Sequence, residues 1–154
     1  MNLRRGVPAD IPVLDAIAIA AKAHWGYSAQ QLEAWRTDLS VAAETLKVRP
    51  VCVAEEHNQV VAFVQVATDV HPWELWAMWV LPASMGRGVG TALLAWATEF
   101  AASHGQSEIA IDSDPNAEGF YKVRGALVVG RVAAPIPGNP QRVRPQMRLP
   151  TSAA

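Results

Sequence analysis

From Asp10 to about Ala23 the apolar positions Ile11, Leu14, Ile17, Ala18 and Ala21 recur at steps of three and four, a spacing that predicts a helix with one buried face. Pro12 is tolerable because it falls in the first turn. The stripe stops at His24-Trp25-Gly26-Tyr27, and Ser28 with Gln31 three residues on predicts the cap of a second helix running to about Leu39. Before these, Leu3 to Gly6 predicts a short first strand. After them the pattern changes: Val51–Glu55 and Val60–Thr68 are rich in β-branched residues, with the polar EHNQ between them as a hairpin connection. Glu74 to Leu81 predicts a third strand that lacks polar alternation after Glu74, so it should be covered on both faces.

The helical period then returns. Val89, Leu93, Trp96, Ala97 and Phe100 form one stripe that ends at His104-Gly105. Glu108–Asp112 alternates as a strand, Asp114 caps a helix that begins at Pro115 and runs to about Arg124, and Ala126–Val132 predicts a further strand. The Pro/Gly-rich APIPGNP connects it to a final strand, Val143 to Leu149, expected at the sheet edge, where Arg142, Arg144 and Arg148 would form a solvated border that blocks pairing. The order β-α-α-β-β-β-α-β-α-β-β contains no repeat and no long linker. It predicts a single α/β domain over residues 1–150, a mixed, mostly antiparallel twisted sheet with helices on both faces, and a frayed tail at 151–154.

Composition narrows the function classes. The chain of 154 residues can bury a core without a metal or disulfide, and its formal net charge of −1 advertises neither a nucleic-acid nor a membrane partner. No window approaches the apolar length of a membrane span, and the N-terminus has no unbroken apolar stretch of the kind a signal peptide carries. The one cysteine, Cys52, reads as a small buried hydrophobe in a reducing compartment, so a soluble, cytoplasmic protein is the expectation. Four scattered histidines without ligand spacing predict no metal site.

The chemically informative stretch is LPASMGRGVGTALL, Leu81 to Leu94, where Gly86, Gly88 and Gly90 stand between a predicted strand and a predicted helix. Glycines at such a turn leave main-chain N–H groups pointing outward at the positive end of a helix dipole, which suits a phosphate, and Arg87 adds a charge beside them. A P-loop would place Lys-Ser/Thr after the last glycine, but Thr91-Ala92 follows Gly90. A dinucleotide fingerprint would need a glycine at position 91, where threonine stands.

Val80 to Leu94 resembles the acetyl-CoA motif of the GCN5-related N-acetyltransferase (GNAT) family, usually Q/R-x-x-G-x-G/A after a strand, and Asp114 to Ala126 resembles that family's second motif, with Ala117, Tyr121 and Gly125 in register. The order of elements agrees over nearly the whole chain. There are two departures: Met85 stands where Gln or Arg is usual, and Asp114 where many members have Asn, with Asn116 as a nearby substitute.

The resemblance implies acetyl-CoA as co-substrate, gripped by Met78, Trp79 and Val80 on the strand, by Met85, Gly86, Arg87, Gly88, Val89, Gly90 and Thr91 at the turn, and by Asn116 and Tyr121. It implies a primary amine attacking the thioester, the Val80 N–H polarising the carbonyl, and Tyr121 as general acid for the departing thiolate. Glu74, six residues before Val80 and on the same strand face by a period of two, is the candidate base. His24, Trp25 and Tyr27 between the first two helices, with His71 and Trp73 at the strand entrance, are the expected acceptor pocket. The expected acceptor is a small-molecule amine, with a peptide N-terminus or lysine as the alternative, and homodimers are common in the family. A non-catalytic acyl-CoA sensor and an interaction domain with exposed Trp25 and Trp73 also remain open.

Overall fold

The computed structural model describes residues 1–154. The strands are β1 (Asn2–Arg5), β2 (Val51–Glu56), β3 (Gln59–Ala67), β4 (Glu74–Val80), β5 (Glu108–Asp112), β6 (Leu127–Ala133) and β7 (Val143–Pro150). The helices are α1 (Ile11–His24), α2 (Ala29–Leu39), α3 (Val89–Ser103) and α4 (Glu118–Val123). All seven strands form one sheet in the order β1-β2-β3-β4-β5-β7-β6, antiparallel except for β4 with β5. The mixed α/β architecture read from the residue pattern is therefore the one the chain adopts.

The core lies in two layers, one on each face. Leu14, Ile17 and Ala18 of α1 pack on Val51, Val53 and Phe63. On the other face Leu93, Leu94 and Ala97 of α3, with Tyr121 of α4, pack on Val64, Val66, Leu75, Ile109 and Met147. Leu14, Ile17, Phe63 and Leu93 are fully buried, and each contributes about 1.5–3 kcal/mol relative to exposure. Strand β4 lies between the layers, with Met78 and Val80 on the α3 side and Ala77 and Trp79 on the α1 side.

Local chemistry fixes the ends. The hairpin between β2 and β3 turns on His57 and Asn58, both at positive φ, so the connection is shorter than the four-residue EHNQ. Ser28 caps α2 by accepting from the Gln31 N–H at 3.0 Å. Asp10 does not cap α1; Arg4 grips its carboxylate at 2.9 Å through both nitrogens, and the Val7 N–H donates to it at 2.8 Å.

Three expectations change at the C-terminus. Strand β7 is interior and β6 is the edge, because Met147 and Leu149 alternate with polar residues and supply a buried face to the α3 layer. The arginines do not form a solvated border. Arg144 pairs with Asp112 at 2.9 Å, Arg148 pairs with Glu108 at 2.8 Å, and Arg142 is buried ahead of the strand. Thr151, at the start of the tail expected to fray, is held: its N–H donates to Ser107 O at 2.9 Å and its hydroxyl to Gln106 O at 2.6 Å.

Candidate active site

The site begins where β4 and β5 part. They pair at only Glu74↔Ala110 and Leu75↔Ile111, after which β4 continues along β3 while the Ser113 N–H, just beyond β5, donates to Pro145 O at 3.0 Å. The Leu81 N–H donates to Val61 O at 2.8 Å. Strand alternation therefore turns the N–H groups of Met78 and Val80 away from β3, into the gap that β5 has vacated. These are main-chain donors with no strand opposite them.

A β-bulge shapes the start of β4. Gln65 pairs with Ala77 and Val66 with Leu75, so Trp76 is the extra residue. The bulge reverses the alternation and puts Glu74 on the face of Ala77 and Trp79. The expectation that Glu74 shares a face with Met78 and Val80 is overturned, because a period of two does not survive an inserted residue. Glu74 lies outside the cleft lining, and its carboxyl is pushed up by burial and then by the negative charge of Asp112, against Arg49.

The splayed strands open onto a cleft of about 410 Å³ with a predominantly apolar lining. Met78, Trp79, Val80, Met85, Gly86, Gly88, Gly90, Thr91, Asn116 and Tyr121 all line it, with Trp25 at its mouth. At its end, Gly86 (φ 74°) and Gly88 (φ 84°) adopt left-handed conformations that turn the chain into α3, whose first turn starts at Val89. Gly90 serves packing: a Cβ there would lie 3.2 Å from Phe120 Cζ. The Val89 side chain is buried in the α3 layer, leaving only its main chain at the turn.

The cation beside the turn is not the expected one. Arg87 points to Glu56 at 2.9 Å and lies outside the lining, while Arg124 lines the cleft, donates to Thr91 Oγ1 at 2.9 and 2.7 Å and stacks 3.7 Å from the Phe120 ring. Its sequence signal is its place four residues after Phe120 and three after Tyr121 on one helix face. Tyr121 is buried, and its hydroxyl makes no hydrogen bond within the protein yet is not sealed from the cleft. Burial, followed by the charge of Asp114, pushes its ionisation well above the ordinary tyrosine range, so the phenol keeps its proton at neutral pH.

Beside the cleft a buried polar cluster joins α1, the α1–α2 turn and the loops after β5 and β6. Lys22 pairs with Asp114, which also accepts from Tyr27 OH at 3.0 Å and, through its other oxygen, from the Asn116 N–H and side-chain amide at 2.8 Å. Arg142 Nη2 donates to Tyr27 OH at 3.3 Å. Burial depresses the Lys22 ammonium, with Asp114 opposing. Asp114 is held below the usual carboxylate range although burial, its largest single influence, pushes the other way; Lys22 and the Asn116 donors outweigh it. Lys22 was legible only as a lysine among the apolar residues of α1, and Arg142 only as one of the alternating arginines near the last strand, read there as solvated.

The expected pocket residues divide. Trp25 and Tyr27 line a second concavity of about 440 Å³ that adjoins the cleft and shares Trp25 and Asn116 with it. His24 contacts the Trp25 ring edge-on at 5.2 Å but lines neither. His71 and Trp73 are not brought to the cleft. Trp73 packs against Phe100 and His104, both at 5.5 Å or closer to its neighbours in that cluster, at the end of α3 away from the glycine turn. Of the two tryptophans an interaction domain would expose, Trp73 is half-buried and Trp25 is exposed.

The free main-chain N–H groups of the strand gap and the glycine turn at the N-terminus of α3 line one cleft, donors that suit an anionic, hydrogen-bonding ligand. Residues 16–126 match the model of the Acetyltransferase (GNAT) family, and the chain belongs to that family. Solved structures agree over almost the full length. A GCN5-related N-acetyltransferase from Rhodopseudomonas palustris superposes with a TM-score of 0.79 at 25% identity, covering 97% of this chain and 94% of that one. The PaiA N-acetyltransferase of Thermoplasma acidophilum, in complex with coenzyme A, gives 0.77 at 16% identity over 97% and 98%. YncA of Salmonella typhimurium, an acetyltransferase structure with its cofactor acetyl-CoA, gives 0.69 at 20% over 97% and 93%. No curated protein matches the chain.

Proposed function

We propose that this protein transfers an acetyl group from acetyl-CoA to the primary amine of a small molecule. The observation that carries the reading is the divergence of β4 from β5, which frees the Met78 and Val80 N–H groups beside the Gly86–Thr91 turn and within one cleft with Tyr121. The turn and Arg124 suit a pyrophosphate, and the strand gap suits an extended amide-bearing arm. Acetyl-CoA supplies the thioester on which the transfer depends. The Val80 N–H polarises the thioester carbonyl. The amine nitrogen forms the new bond to the carbonyl carbon, the C–S bond breaks as Tyr121 gives its proton to the departing sulfur, and the proton that the nitrogen then sheds restores the Tyr121 phenol. Glu74, with its raised carboxyl and its place outside the lining, takes the ammonium proton through water.

A small acceptor is favoured by the walls on that side. Trp25 and Tyr27 from the α1–α2 turn face Ile136–Asn139 of the β6–β7 loop across a concavity, so the approach is bounded on two sides. The test is thiol release from acetyl-CoA across amines, amino acids and peptides. Release with small amines and none with peptides supports the proposal. Release with peptides alone overturns the acceptor class, and coenzyme A binding without release from any amine overturns catalysis.

A further inference from the structure

The second concavity has an unusual wall. Arg142 is 6% exposed and lines it, and the guanidinium Nε is the one buried side-chain nitrogen or oxygen in the chain without a hydrogen-bond partner. Its other nitrogens donate to Ala134 O at 3.1 Å and to Tyr27 OH at 3.3 Å, both neutral acceptors. The nearest carboxylate, Asp114, is 3.8 Å away and is already engaged by Lys22, Tyr27 and Asn116. Two buried cations therefore share one buried anion, and the cluster carries a surplus positive charge. Asp114 at 3.8 Å and the Tyr27 and Trp35 rings, 5.4 and 5.3 Å away, compensate the buried guanidinium only in part, and a ligand carboxylate that accepts from it recovers much of the remaining cost.

Geometry joins this charge to the reaction. Asp114 and Asn116 line the acetyl-transfer cleft, and Asn116 also lines the second concavity with Arg142. The two concavities share Trp25 and Asn116, so a molecule whose carboxylate meets Arg142 can extend its amine into the cleft. From this we infer that the acceptor is an amino acid or a similarly small amine bearing a free carboxylate, with Arg142 as the residue that selects it. The inference rests on the acetyltransferase reading above and narrows its substrate class. Arg142 binds the substrate's anionic end and takes no part in bond making.

The test compares each of the common amino acids with its carboxamide as acceptor for acetyl-CoA. The pair keeps the same side chain and loses the carboxylate charge, and because the amide's α-amine is the less basic and more of it is free at neutral pH, a preference for the acid runs against intrinsic reactivity. The native protein should favour the best free acid over its amide by about tenfold or more in kcat/KM, the size of a charge-assisted hydrogen bond. R142Q should abolish the preference for the acid, and R142K, which keeps the charge, should retain part of it. Calorimetric affinity for coenzyme A and the far-UV circular dichroism spectrum of each variant separate lost selectivity from lost folding. If a variant does not fold, quenching of native tryptophan fluorescence by N-acetyl amino acids against their N-acetyl amides, with coenzyme A present, gives the same comparison. Equal use or equal binding of acid and amide by the native protein, or a ratio that survives in R142Q, overturns the inference and leaves the acetyltransferase reading intact. Coenzyme A binding with no turnover of any amine overturns that reading instead.

Discussion

Gly88 and Gly105 stand at opposite ends of α3 and make a matched pair. Both have positive φ, 84° and 77°, and a Cβ at either would meet nothing within 4 Å. An alanine forced into this conformation costs about 1–2 kcal/mol, which for a domain of this size lowers Tm by roughly 2–8 °C. Gly88→Ala and Gly105→Ala should therefore lose similar stability. They should differ in ligand binding. Gly88 lines the cleft and Gly105 does not, so the new methyl at position 88 occupies the space a pyrophosphate would take against the turn. Losing one hydrogen bond to a charged phosphate costs about 1.5–3 kcal/mol, about tenfold to a hundredfold in Kd. Thermal unfolding measures the first quantity and isothermal titration with coenzyme A the second. Coenzyme A affinity that stays native in Gly88→Ala, or falls equally in both variants, would refute the assignment of the pyrophosphate to this turn.

Three further outcomes are expected. Tyr121→Phe should lower kcat by about a hundredfold or more through loss of the general acid, with coenzyme A affinity and Tm near native because the hydroxyl bonds nothing in the protein; unchanged kcat across pH removes Tyr121 from the chemistry. Glu74 must be ionised to accept a proton, and its raised carboxyl places the acid limb of the rate profile above the ordinary glutamate range, so Glu74→Gln should lower the rate and abolish that limb; a limb that persists assigns the base elsewhere. Asp114, depressed in the folded state, contributes stability that is present above its unfolded pKa and is lost as pH falls through its folded one. Asp114→Asn should remove that loss on the acid side while costing about 3–5 kcal/mol at neutral pH, since it strands Lys22 and Arg142; urea unfolding at several pH values measures both effects.

Much of this protein was determined locally. The three-and-four spacing of Leu14, Ile17, Ala18 and Ala21, the alternation in β5, the Ser28 cap and the glycine turn before Val89 each depend on a few neighbouring residues, so they are legible in one dimension. Tyr121 and the turn were placed by motif, and both line one cleft. What needed the tertiary structure was whatever depends on which strands meet. The interior place of β7 follows from Met147 and Leu149 finding the α3 layer, and the face of Glu74 from a bulge that only the pairing with β3 defines. Arg124 replaced Arg87 beside the turn because Glu56, 31 positions earlier, captures Arg87. The Lys22–Asp114–Arg142 cluster joins segments 92 or more residues apart from Lys22 onward, and its surplus charge exists only once burial has removed water from all three groups. A sequence states charges and spacings; it is the exclusion of solvent on folding that decides which of those charges are balanced.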